Sequence, residues 1–286
     1  MISNPEINQI EPVVIEYSDL DVLIEFGWQV YQNPTTRFYP IVDQKSDIEV
    51  MYKQAFMNGW LWAAKIDQVY GVLPLIVDEE HQFIQSNGGV AAQAHFTLFS
   101  SYFLDKLKAT FPGYTYLSGF PSSHQEAIAY HQKQGFDQAD ILYRYERELE
   151  ALTFPAEPYY QTLHASNVEA FVQYHDQLFG NQYWSADLIY QHLDRWSVVL
   201  VGEDKITDMG GAIRYTKNQI NYAEIYFIAS NNSCELIISA LLSELQKQGV
   251  QQVLYLVNQQ NQDQILQLDK MDFKLLDDYC EFSIIL

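Results

Sequence analysis

AIAYHQKQGF, Ala127 to Phe136, is the stretch on which the reading of this 286-residue chain turns. It reads as a short helix that ends on Gly135, since a glycine just past a helix accepts the left-handed conformation that closes it. Phe136 then opens a strand that can bury its ring. The arrangement occurs twice. NQDQILQLDKMDF, Asn261 to Phe273, repeats it with Leu268 where His131 stands and Asp272 in place of Gly135, and Phe273 follows Phe136 by 137 residues, close to half of the chain. Other landmarks recur near that offset: the helix-opening segments at Ser46 and Ser185 are 139 apart, and the strands beginning at Trp62 and Val198 are 136 apart. Ser18 and Ser166 each open the first helix of a half and are 148 apart, so the first half needs an insertion, which Pro34 to Asp43 can supply. The chain therefore reads as two copies of one domain, 1–150 and 151–286.

Composition agrees with a globular protein of two such domains, at 48% hydrophobic and 15% aromatic residues. Sixteen Lys and Arg against 37 Asp and Glu give a formal charge of -21, which opposes nucleic acid and anionic membranes at long range. Two cysteines, Cys234 and Cys280, have no disulfide framework and no metal spacing, which suits a reducing cytoplasm. The first residues are polar and acidic without the apolar run of a signal peptide, and no stretch reaches membrane-spanning length.

In chain order, Pro12–Tyr17 reads as a strand, Ser18–Gln32 and Asp47–Asn58 as helices, and Leu61–Ile66 and Val69–Val77 as strands around an Asp67-Gln68 turn. Pro74 in the last of these argues for an edge or a bulge. A short strand from His81 ends in the glycine pair of QSNGGV, Gln85 to Val90. A helix from about Ala91 to Ala109 is expected next, with Ala92, Phe96, Phe99, Phe103 and Leu107 at helical spacing. Tyr114–Gly119 and Ala139–Arg147 are the remaining strands of the first half, and two prolines in Leu152–Pro158 mark a linker. The second half repeats the order, from a strand at Tyr159–Leu163 to a last one from Lys274. Its counterpart of the glycine loop is SNNSCE, Ser230 to Glu235, which has no glycine and adds a negative charge.

HQEAIAYHQKQGF, His124 to Phe136, resembles the fourth helix of the GNAT superfamily of acyl-CoA-dependent N-acetyltransferases, roughly N-x-x-A-I-A-L-Y-E-K-L-G-F. Ala127, Ile128, Ala129, Lys133, Gly135 and Phe136 are in register. The family's Asn falls on His124 and its Tyr on His131, which are departures. The resemblance implies an α/β fold: two GNAT-like domains in tandem, each a mixed, splayed sheet flanked by helices. It also implies acetyl-CoA as co-substrate, held by backbone amides in a loop of pattern Gln/Arg-x-x-Gly-x-Gly/Ala at the start of the third helix. Such a helix start is an anion site by virtue of its unpaired N–H groups and dipole. Gln85, Ser86, Asn87, Gly88, Gly89 and Val90, with Ile84 and Ala91 flanking, are the residues this reading assigns to the cofactor, with Val90 where Gly or Ala belongs. The same residues would equally serve a glycine turn with no ligand. The first half is the favoured acyl-CoA site, and the second its degenerate partner.

By the same resemblance an amine attacks the thioester, and an acid protonates the leaving thiolate. His131 occupies the position of the family's tyrosine acid, with Tyr130 beside it as the second candidate, though both would also serve as ordinary helix-face residues. His124 and His131 share a helix at two-turn spacing, but no third ligand stands near and no metal is expected. No nucleophile elbow, phosphate-binding P-loop or dinucleotide fingerprint occurs. The expected activity is transfer of an acetyl group to a primary amine, on a small molecule or a peptide. The alternatives are a non-catalytic module that binds CoA or a partner, and a purely structural interaction protein. The acceptor and the oligomeric state are left open.

Overall fold

The structure, a computed structural model, describes residues 9–38, 42, 44–149, 159–180, 183–202, 205–217, 219–231 and 234–286, the side chain of Asp140 excepted. The Leu152–Pro158 linker lies outside them, as do Tyr39, Pro40, Ile41 and Asp43 of the insertion.

In chain order the first elements are β1 (Glu11–Val13), a 3-10 turn (Tyr17–Asp19), α1 (Leu20–Gln32), α2 (Lys45–Met57), β2 (Leu61–Ile66) and β3 (Val69–Asp78). Then come β4 (Phe83–Ser86), β5 (Ala91–Ala92), α3 (Phe96–Thr110), β6 (Thr115–Phe120), α4 (Gln125–Lys133) and β7 (Asp137–Glu148). The second half adds β8 (Gln161–Thr162), α5 (Val168–Phe179), α6 (Ala186–Gln191), β9 (Trp196–Val201), β10 (Asp208–Lys217) and β11 (Ile220–Ser230). It ends with α7 (Cys234–Lys247), β12 (Gln252–Asn258), α8 (Gln262–Lys270) and β13 (Lys274–Ile285).

The chain forms two compact units, Met1–Ile141 with Asp278–Leu286, and Leu142–Asp277, so the division does not fall at residue 150 as the repeat alone suggests. The reason lies in the last strand of each half. In the first unit the strands run β1-β2-β3-β4-β6-β13, with β4 parallel to β6 and β13 antiparallel to it, Phe282 opposite Ser118. In the second unit the order is β7-β12-β11-β10-β9-β8, with β11 parallel to β12 and β7 antiparallel to β12. The two halves thus exchange their final strands.

Each sheet is mixed and splays where its parallel pair parts. β4 and β6 pair from Phe83 and Thr115 to Gln85 and Leu117, then separate. β11 and β12 pair from Tyr222 and Gln252 to Ile225 and Tyr255, then separate. Thr115 and Gln252 are 137 residues apart, the same offset as Phe136 and Phe273. Matching by register sets Gln85 against Glu224, Ser118 against Tyr255, and His131 against Leu268.

The paired helices that carry the repeat close as their sequences dictate. Gly135 stands at φ +78° and Phe136 is buried. Asp272, in the matching place, is forced to φ +57°, a conformation that costs a residue with a Cβ but is tolerated best by Asn and Asp. Other boundaries move. Ser185 caps α6 as expected, accepting from the Leu188 N–H, whereas α2 begins two residues early behind a reciprocal cap of Gln44 and Asp47, which leaves Ser46 inside its first turn. Pro74 stands where β3 changes partners: β3 pairs β2 from Val69 to Pro74 and β5 at Gly71–Val72, and from Leu75 to Asp78 it pairs β4. A missing N–H is harmless at that changeover.

Candidate functional site

Where β4 ends, the chain departs from expectation. The third helix starts at Phe96 and not near Ala91. Ile84, Gln85 and Ser86 lie in β4, Asn87 donates its N–H to the Pro74 carbonyl at 2.9 Å, and Ala91 is a fully buried strand residue. Gly88 and Gly89 form the kink between β4 and β5, at φ +108° and +62°. A Cβ on Gly88 would stand 3.1 Å from the Phe38 ring, and one on Gly89 3.0 Å from that of Phe120. Close packing and backbone direction account for this glycine pair, and the segment does not adjoin the start of α3. The exposed residues at that start are Gln93, Ala94 and His95, the last at φ +59°.

Two turns of α4 set the polar contents of the first unit. His124 caps the helix, its Nδ1 accepting from the Ala127 N–H at 3.3 Å. Its Nε2 is buried without a hydrogen-bond partner among the described residues. His131, 3% exposed, lies among the rings of Phe120, Phe136 and Phe282 at 4.6 to 5.0 Å. Its Nδ1 is 2.8 Å from the Ala127 carbonyl and its Nε2 3.0 Å from Ser118 Oγ. A carbonyl can only accept, so Nδ1 carries the proton and Nε2 accepts from the Ser118 hydroxyl. Burial pushes both imidazoles down to about 4. His131 is therefore neutral at neutral pH, which removes the imidazolium that an acid would need in the resting protein. Burial likewise pushes the Tyr130 phenol up to about 12, and its ring packs edge-on against Phe96.

Ser118 had no signal in the sequence. It stands one residue past Leu117, the last residue of β6 paired to β4, and is 2% exposed. An isolated serine in an alternating strand becomes notable only once α4 lays a histidine over it.

The starts of α3 and α7 differ in what occupies them. At α3 the Thr97 N–H and hydroxyl donate to the exposed Glu126 carboxylate at 3.4 and 3.1 Å. Near Cys234, the first residue of α7, the fully buried Asp208 accepts from groups that precede the helix: the Asn231 N–H at 3.0 Å, Thr207 Oγ1 at 2.7 Å and the Ser230 hydroxyl. In the same unit Tyr255 donates to Gln264 at 2.7 Å, and Leu268 fills the place of His131 with no exposure. Glu224 on β11 is partly buried, and desolvation pushes its carboxyl up to about 7. Among the described residues no group of three or more His, Cys, Asp or Glu is placed to hold a metal ion, and no helix is long and apolar enough to cross a membrane.

No protein-family model matches the sequence, and no curated protein matches it. Solved structures do match the fold over nearly the whole chain. A GCN5-related N-acetyltransferase from Sphaerobacter thermophilus superposes with a TM-score of 0.61 at 8% identity, covering 97% of this chain and 96% of its own. The tandem GNAT protein of the clavulanic acid biosynthesis pathway gives 0.56 at 11% identity, covering 96% and 98%. The glucosamine N-acetyltransferase region of a fungal multi-domain beta-N-acetylglucosaminidase gives 0.63 at 11% identity, covering 96% of this chain and 38% of that one. The resemblance first seen in α4 extends to the fold: two domains of GNAT-like fold in tandem, each a mixed, splayed sheet flanked by helices.

Proposed function

We propose that this protein is an acyltransferase that takes an acetyl group from acetyl-CoA, held by the first unit, and passes it to a primary amine. The observation that carries this reading is the difference between the two helix starts. A buried carboxylate held by three donors beside the start of α7 disfavours a pyrophosphate there, since the two anions would repel each other in a dry place. Glu126 at α3 is exposed and long enough to swing into water, which frees the Thr97 donors of a helix start beside the exposed Gln93–His95 segment. The phosphate-binding role accordingly moves from Gly88 and Gly89 to Gln93–Thr97, while Gln85 and Ser86 border the splay.

Acyl transfer from a thioester to an amine moves one proton from nitrogen to sulfur. A neutral imidazole can accept it on Nε2 and return it, so His131 serves as relay and needs no resting charge. Tyr130, turned toward Phe96, is a packing residue in this reading.

A non-catalytic module is the second reading, and the burial of His131 among three phenylalanine rings favours it. Incubating the protein with acetyl-CoA and a panel of amines separates the two. Thiol release that falls by roughly 10²–10⁴-fold in His131→Phe but persists in Tyr130→Phe supports transfer. Binding of acetyl-CoA without release from any amine supports the module. Loss of binding in a Thr97→Pro variant but not in Asp208→Asn would locate it at α3, and the opposite pattern would reverse the assignment of the units.

A further inference from the structure

We propose that Glu281 selects the acceptor: the first unit takes a diamine, one nitrogen receiving the acetyl group while the other, as an ammonium, sits on the Glu281 carboxylate. The inference rests on the acyl-transfer reading of that unit and adds a substrate class to it. Its basis is a carboxylate left without a partner beside the splay. Glu281 stands opposite Gly119 in the antiparallel register of β13 and β6. Phe282 stacks on the His131 ring, so its neighbour Glu281 points to the other face of the sheet, away from α4. Among the described residues no cation and no hydrogen-bond donor meets its carboxylate, and burial alone holds that carboxyl above the usual range. A partly buried carboxylate without a donor is costly, and a cationic ligand offsets the cost.

Two neighbours shape a place for an ammonium. Gly119 puts no side chain opposite Glu281, and a Cβ there would stand 3.2 Å from the ring of Tyr279, which shares the face of Glu281. A carboxylate flanked by an aromatic ring holds an ammonium by charge and by the negative face of the ring. The approach is open. Ile76, Gln85, Leu117 and Ser283 form a row across β3, β4, β6 and β13 on that face, Ile76 exposed and the other three partly so.

The fold does not ask for a carboxylate here. Matching by register sets Gly119 against Leu256 and Glu281 against Arg144, which is buried and pairs with Asp277 at 3.2 Å. The second unit thus has a paired cation where the first keeps an unpaired anion. The reacting nitrogen, whose proton must reach His131, stands where β4 and β6 part, and Glu281 is on the next strand, about 5 Å across the sheet. A short alkyl spacer covers that gap. Attack stays direct: the nitrogen–carbon bond forms as the carbon–sulfur bond breaks, and the proton passes through His131 to the sulfur. Glu281 keeps its ammonium throughout and moves no proton.

The test uses the full chain, acetyl-CoA and two acceptors of equal length, diaminobutane and butylamine, with thiol release as one readout and calorimetric binding of diaminobutane as the other. Diaminobutane should be the better acceptor. Glu281→Gln should lower the preference for it over butylamine, in kcat/KM, by roughly 10–100-fold and mainly through KM. Glu281→Asp should recover part of that preference. Because Gln removes a desolvated charge, the variant should unfold in urea at no lower midpoint than the parent, which separates a binding defect from a folding one. Equal losses for both acceptors would put Glu281 on the reacting nitrogen and overturn the diamine assignment, as would diaminobutane used no better than butylamine. Diaminobutane binding that Glu281→Gln leaves unchanged would overturn the site. Binding lost in Glu281→Gln, with no thiol release from either acceptor in the parent, would overturn the transferase reading and keep the site. Neither binding nor release would overturn both.

Discussion

Acidification should loosen the first unit through its two buried histidines, and substitution at His131 isolates the effect. Burial lowers His131 from 6.5 to about 4, and the neighbouring His124 to the same value. The folded pKa lies below the unfolded one, so the unfolded chain binds more protons between the two. The stabilisation is therefore whole above about pH 6.5 and is lost as pH falls toward about 4. The full displacement corresponds to about 3 kcal/mol for each imidazole, of which about 2 kcal/mol is lost between about pH 7 and about pH 5. The groups around His131 are the Ser118 hydroxyl, the Ala127 carbonyl and His124, whose own charge would oppose a second one. Carboxyls raised by burial, Glu281 and Glu224, run the opposite way and flatten the curve of the whole protein. The comparison of variants removes them. By urea unfolding, His131→Phe should be less stable than the parent by about 1–3 kcal/mol at about pH 7, where Ser118 loses its partner. That deficit should shrink by about 2 kcal/mol at about pH 5. A deficit unchanged between the two conditions would show that His131 is not held neutral by burial, and the tautomer argument for Ser118 would fall with it.

Two further outcomes test the repeat. Asp272→Gly should be neutral or stabilise by up to about 1 kcal/mol, and Gly135→Asp should cost about 1 kcal/mol, because both positions demand positive φ; thermal denaturation of the pair decides it, and a clear loss in Asp272→Gly would contradict the αL cap. Phe282→Ala, at the far end of the chain, should cost about 3–5 kcal/mol and speed hydrogen exchange in β6 and α4 before α5 to α7, since Phe282 is fully buried beside Ser118 and His131; exchange that quickened first in α5 to α7 would refute the exchanged strand.

The repeat was legible because its signal is local. A helix stop followed by a buried aromatic needs only Gly135 and Phe136, and the 137-residue offset then recurs in strand register at Thr115 and Gln252. The loop before α3 misled for an equally local reason. Ala92, Phe96 and Phe99 continue the helical spacing backward by one turn, and a short apolar run such as Val90–Ala92 has no period that separates strand from helix. The exchange of β7 and β13 was invisible, since an alternating strand has the same pattern whichever sheet receives it. Ser118 belongs to the same class: its meaning comes from α4 lying across it.

The matched positions also show what each unit can and cannot supply. Glu224, raised to about 7, is suited to take a proton near neutrality, but its counterpart in the first unit is Gln85, which cannot. Conversely the second unit has Tyr255 and Leu268 where the first has Ser118 and His131. The first unit therefore lacks a carboxylate on that row, and under the proposed amine transfer His131 is the group left to take the amine's proton. Under that proposal a Gln85→Glu substitution should change the pH dependence of amine acetylation, measured as thiol release from acetyl-CoA. A pH profile of thiol release that the substitution leaves unchanged would show that position 85 takes no part in moving the amine's proton.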